Sequence, residues 1–70
     1  MNRITLRTEA HDANGAITAI LERDVTVELA SPKTLQQIMN DTAKYDPDWR
    51  AIKLGVMIGG KFQVHHVEQR

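Results

Sequence analysis

Residues 8–20 read TEAHDANGAITAI, and what the chain does at Asn14-Gly15 in the middle of that stretch decides the fold. Asn followed by Gly is the preferred pair for a two-residue type I′ turn, because both central positions need positive φ and these two residues adopt it at least cost. A turn there makes the flanking segments, ITLRTEA from Ile4 and ITAILERDVTVEL from Ile17, the two strands of a hairpin. It pairs Ala13 with Ala16 and so fixes every later pair. Ile4 then faces Val25, Thr8 faces Leu21 and Ala10 faces Ala19 on one side. On the other side Arg7 lies opposite Glu22 and Thr5 opposite Asp24, a favourable charge pair and a neutral one. Ile17, Ala19, Leu21, Val25, Val27 and Leu29 share one parity, so the second strand is expected to keep a single buried face even where "ERD" bends it.

Working outward, SPKTLQQIMNDTAKY predicts a helix from about Pro32 to Tyr45. Ser31 suits the N-cap, Pro32 suits the first helical position, and Leu35, Ile38, Met39, Thr42 and Tyr45 recur at helical spacing. Asp46-Pro47-Asp48 ends it, because a proline pushes the residue before it out of the helical region. Trp49 is expected to pack near that corner. A second hairpin, about residues 50–68, surrounds Gly59-Gly60, with Ile52, Leu54, Val56 and Ile58 alternating. A two-residue Gly-Gly turn would send Phe62 and Val64 to the face opposite those four. A three-residue Gly59-Gly60-Lys61 loop places Ile58 beside Phe62 and Val56 beside Val64, and is expected because burial of such a side chain is worth roughly 1.5 to 3 kcal/mol. The expectation is therefore one α+β domain, residues 1–70, of order β-β-α-β-β: a four-stranded, mainly antiparallel sheet with one helix on one face.

Composition narrows the function. A chain of 70 residues buries only about 60% of its unfolded surface, which leaves a thin core and little room for a large cavity. The absence of Cys excludes disulfides, thiolate catalysis and sulfur-ligated zinc, and fits an intracellular, cytoplasmic setting. MNRITLRTEAHD has no apolar stretch of the kind a signal peptide needs, and no apolar run reaches membrane-spanning length. Nine Lys and Arg balance nine Asp and Glu, so no global basic field favours nucleic acid. The balance is uneven along the chain: from Arg50 onward, Arg50, Lys53, Lys61 and Arg70 face Glu68 alone. Glu9, Asp12, Glu22, Asp24 and Glu28 outnumber the three arginines of the first thirty residues.

No motif supplies a catalytic, metal or cofactor site. His65 and His66 are adjacent on an expected strand, where neighbours point to opposite faces, so the rings converge on one ion only if the strand has ended or bulged. His66 is expected inward with Phe62, Val64 and Glu68, and His65 outward beside Val67. Asp46 and Asp48 are explained by helix termination, and Ser31 by capping. No G-x-S-x-G or glycine-rich phosphate loop is present. What remains is surface. The face opposite the helix is expected to expose Ile20, Met57 and Val67, with Gly55 as a flat spot and Arg7, Lys53 and His65 around them. These six side chains are the candidate partner-binding residues. Edge strands offer a second route, by addition of another chain or of a second copy as a homodimer. A nucleic-acid reading rests on the basic second hairpin, but the stacking aromatics it needs, Tyr45, Trp49 and Phe62, are expected in the core. A third reading makes His65 or His66 a general base.

In length, lack of cysteine, near-neutral charge and the hairpin-helix-hairpin layout of residues 3–68, the chain resembles the very small single-domain proteins that phages encode to antagonise host defence, including some anti-CRISPR proteins. That resemblance implies a stoichiometric inhibitor that binds a large protein or ribonucleoprotein complex and blocks it sterically. The chain departs from the strongly acidic members of that class, and with them from mimicry of DNA. The expectation is a non-enzymatic protein-interaction module with no cofactor.

Overall fold

The computed structural model describes residues 2–29 and 31–70, the side chain of Leu29 excepted, so its expected place on the buried face lies outside the described residues. Strand β1 (Arg3–His11) and strand β2 (Ile17–Thr26) form the first hairpin, followed by a single 3₁₀ turn at Val27–Leu29. Helix α1 (Pro32–Ala43) precedes strands β3 (Ala51–Ile58) and β4 (Lys61–Gln69). All neighbouring strands are antiparallel, in the order β2-β1-β3-β4. The α+β architecture expected from the sequence is the one observed.

The first hairpin reaches its expected register by a different turn. Only Gly15 has positive φ, and Gly15 N donates to Asp12 O at 3.1 Å while Asp12 N donates to Ala16 O at 3.0 Å. The loop is thus three residues, Ala13 to Gly15, a type I turn closed by a left-handed glycine. Asp12 stabilises it: its Oδ1 accepts from Asn14 N and Ala16 N at 2.8 and 3.0 Å. A longer loop moves the pairing by one, to His11 with Ile17, and a bulge between Ala10 and His11 moves it back. From Ala10↔Ala19 onward, Thr8↔Leu21, Arg7↔Glu22, Thr5↔Asp24 and Ile4↔Val25 are all as expected. The bulge does switch the parity of Ile17, which pairs with His11 on the side away from the helix, contrary to the continuous face expected of β2.

The second hairpin shows the same conflict resolved in the other direction. Gly59 and Gly60 both have positive φ, and Ile58 pairs with Lys61, so the turn is the two-residue one and the expected three-residue loop is corrected. Met57 pairs with Phe62 and Gly55 with Val64, which puts Phe62 and Val64 on the face opposite Ile52 and Leu54. A bulge between Leu54 and Gly55 then inserts His65, and from Leu54↔His66 onward the expected register is recovered. The turn geometry that two glycines favour locally and the parity that the core demands are both satisfied, at the cost of one unpaired residue.

Ser31 caps α1, its side chain accepting from Thr34 N at 3.3 Å. The helix ends two residues earlier than expected: Tyr45 N and Asp46 N turn back onto Thr42 O and Ala43 O, and Tyr45 is 71% exposed rather than part of the apolar stripe. Asp46 holds the exit, accepting from Asp48 N at 3.0 Å and from the Thr18 hydroxyl at 2.7 Å. The stripe Leu35, Ile38, Met39 and Thr42 packs over β1, β3 and β2. Ala10, Met39, Ile52 and Leu54 form the core cluster, with Ala19, Leu35, Ala43 and Trp49 against it, and Leu6 and Ile38 are equally buried. At roughly 1.5 to 3 kcal/mol per fully buried aliphatic side chain, this layer is the main source of stability. Of the three aromatics expected in the core, Trp49 alone joins it.

Candidate partner-binding face

Because α1 covers one side of the sheet, the opposite side is an open face, and the pairings lay it out as four rows. Asp24, Thr5, Met57 and Phe62 make the first row, and Glu22, Arg7, Gly55 and Val64 the second. Ile20, Glu9, Lys53 and Val67 make the third, and Ile17, His11, Ala51 and Gln69 the fourth. The face is therefore graded: along β2 acidic at Asp24 and Glu22 and apolar at Ile20 and Ile17, ion-paired along β1, and mostly apolar along β4. Five of the six candidate residues, Arg7, Ile20, Lys53, Met57 and Val67, stand on it together.

His65 does not. Counting the alternation down from Val64 places it on the helix side, and counting up from Val67 places His66 there too. Both histidines line a groove of about 290 Å³ beside Pro32, Leu35, Gln36, Met39 and Leu54. The bulge is the cause, since it gives two consecutive residues the same side, and His65 as an outward neighbour of Val67 is corrected accordingly. Gly55 is also corrected. It is buried rather than a flat exposed spot, and a Cβ there would run into the Gln63 carbonyl first and the edge of the Phe62 ring next.

The centre of the face is held by charge. Arg7 Nε lies 2.8 Å from Glu9 Oε2, a charge contact without hydrogen-bond alignment, and Arg7 Nη1 donates to Glu22 Oε1 at 3.3 Å. The guanidinium carbon sits 5.5 Å from the centroid of the Phe62 ring, within cation–π range. Glu9 Oε1 is 3.0 Å from His11 Nε2, and His11 Nδ1 is 3.2 Å from Gly15 O. Glu9 and His11 are only 6% and 8% exposed although no layer covers them, so their neighbours in the rows enclose them. The sequence contained a signal for this: Arg7, Glu9 and His11 stand two apart, and period two places all three on one face. Beside them lies the apolar strip of β4 and β3. Val64 and Val67 are 43% and 44% exposed, Ile20 across the face is 48% exposed, and Met57 and Phe62 are half-buried.

Among the described residues, no group of three or more His, Asp or Glu side chains is placed to hold a metal ion, and no helix is long and apolar enough to cross a membrane. His65 and His66 share a groove but find no third ligand there. No family model matches the chain, and comparison with curated proteins and with solved structures gives no match.

Proposed function

We propose that the protein is a small non-enzymatic interaction module that binds a larger protein or ribonucleoprotein complex through the open sheet face. In this reading it acts as a steric inhibitor, in the manner of the phage-encoded, anti-CRISPR-like antagonists it resembles. One observation carries it: a fixed, internally paired row, Arg7–Glu9–His11, lies directly beside a strip of half-exposed apolar side chains, Met57, Phe62, Val64 and Val67. A partner that covers the strip gains apolar burial, and Arg7, the member of the row that reaches the surface, presents a guanidinium already ordered by Glu9, Glu22 and the Phe62 ring and so loses little entropy on binding. His11 is engaged inside the fold, its ring nitrogens 3.0 Å from Glu9 Oε1 and 3.2 Å from Gly15 O.

The edges are less suited to adding a strand. Bulges interrupt both of them, at Thr18 in β2 and at His65 in β4, and bulged edges pair poorly with a further chain. Nucleic acid is disfavoured by the distribution of charge, because Lys61 lies at the far end of the second hairpin from Arg50 and Arg70. Phe62, the one aromatic on the face, is engaged by Arg7.

The test is affinity capture from a host lysate at physiological salt, with wild-type protein and a Val64→Glu/Val67→Glu double variant as baits. The expected result is a protein or ribonucleoprotein retained by the wild type, retained after nuclease treatment and lost by the variant, with the variant melting within a few degrees of the wild type. No retained partner, or equal retention by both baits, would sink the proposal. Loss on nuclease treatment would shift it to nucleic acid.

A further inference from the structure

At the end of the sheet where the first turn meets the start of β3 and the end of β4, three cations surround one cleft of about 400 Å³. They are Arg50, Lys53 and Arg70, and His11 and Asp12 share the lining. The backbone holds them at fixed spacing, since Arg50 N donates to His11 O at 2.8 Å and Arg70 N to Arg50 O at 2.9 Å. Arg70 is held further: its guanidinium lies 4.3 Å from the Trp49 ring centroid, and its Nη1 donates to Pro47 O at 2.9 Å.

Among the described residues none of the three cations makes an ion pair. For Lys53 the reason is specific. Glu9 stands directly opposite it across β1 and β3, but the two carboxylate oxygens of Glu9 are engaged by Arg7 and His11. Asp12, the one acid in the wall, turns Oδ1 toward the backbone of its own loop. Three cationic side chains against one acidic side chain give the cleft wall a positive excess within a chain of zero net charge.

We propose that this cleft binds a phosphate group carried on a small ligand. The Arg50 guanidinium and the Lys53 ammonium, with the part of the Arg70 guanidinium not taken up by Trp49 and Pro47 O, supply donors suited to an oxyanion with several terminal oxygens, and the volume falls in the lower range of small-molecule sites. The cleft takes in Lys53 and, from the fourth row of the open face, His11, Ala51 and Gln69, but not Val64 or Val67, so capture through the apolar strip and phosphate titration can fail independently.

Trp49 is the only tryptophan, and Arg70 stacks on it, so its emission is the readout. The protein is titrated with inorganic phosphate, ribose 5-phosphate and a short single-stranded oligonucleotide at constant ionic strength, with sodium chloride and sodium acetate as controls. The expected result is a saturable change with the first two, absent with the controls, and at least fivefold weaker in Arg50→Gln and in Lys53→Gln. Both variants leave the contact between Arg70 and Trp49 intact. Tighter binding of ribose 5-phosphate assigns the site to an organic phosphate, and tighter binding of inorganic phosphate assigns it to the free ion; either result supports an oxyanion site. The same change with the control salts, unaltered titration of both variants, or preference for the oligonucleotide with a steep salt dependence would overturn it.

Discussion

Thr8 and Thr42 are both fully buried, yet only one is satisfied. Thr42 Oγ1 donates to Ile38 O at 2.9 Å, whereas Thr8 Oγ1, in the row with Leu21 and Leu54, has no partner among the described residues. A buried hydroxyl without a partner costs about 1–3 kcal/mol, and valine has nearly its shape. Thr8→Val is therefore expected to stabilise the protein by about 1 kcal/mol, a rise in melting temperature of roughly 4–8 °C for a domain of this size, with Thr42→Val as the control that brings no gain. Differential scanning calorimetry decides it; a fall with Thr8→Val would mean that the hydroxyl has an unseen partner. Glu9 is the opposite case, because two cationic or donor groups depend on it. Glu9→Leu leaves Arg7 and His11 facing an apolar side chain, and urea unfolding should show a loss of about 1–3 kcal/mol. Gly55 tolerates nothing larger: a Cβ would overlap the Gln63 carbonyl oxygen and crowd Phe62 Cε1, so this position is a contact between backbones and not a place for flexibility.

The strands show how local and global demands are reconciled. In β4, His65 is the one residue without a partner, between Gly55↔Val64 and Leu54↔His66. Its deletion joins the two halves into one regular ladder without moving any other side chain to a new face. The deletion variant is expected to fold with Met57↔Phe62 and Lys53↔Val67 intact, visible as cross-strand nuclear Overhauser effects. Its straightened edge should associate more readily at high concentration, measurable by sedimentation. Loss of the fold would mean that the bulge itself is structurally required. The same bulges mark the limit of what the sequence made legible. Strand order aside, the elements, the helix cap, the core positions and the register of both hairpins away from their turns follow from turn residues and apolar periodicity. The inserted residues do not, because apolar alternation in TAIL or FQVHHV is equally consistent with a regular strand. Phe62 and Val64 are expected inward only when burial is ranked above the two-residue Gly-Gly turn, and the inserted His65 that satisfies both demands leaves no mark in the apolar pattern. Tyr45 leaves the stripe although the helical period includes it, because Asp46 and Thr18 draw the chain away there.

For the molecule as a whole, one helix covers three strands of four, and the consequences for dynamics and function run together. β1 is paired on both sides and lies under the helix; β2 and β4 are edges, and β4 lies beyond the helix stripe. Amide exchange is expected to be slowest at Leu6, Thr8, Ala10, Ile52 and Leu54, which open only with the whole domain, and fastest along β4 on either side of His65. That gradient separates the two ways in which a partner could use the sheet. A partner seated on the open face covers side chains from Val64, Val67 and Met57 while the outward amides of the edge strands stay in contact with water. A partner added as a fifth strand takes those same amides into hydrogen bonds. Exchange measured with the captured partner bound should therefore leave the edge amides of β2 and β4 close to their free rates, while Val64 and Val67 side-chain methyl signals shift. Strong new protection confined to one edge would replace face docking with strand addition, and would relocate the binding site from the row of Arg7, Glu9 and His11 to the backbone of that edge.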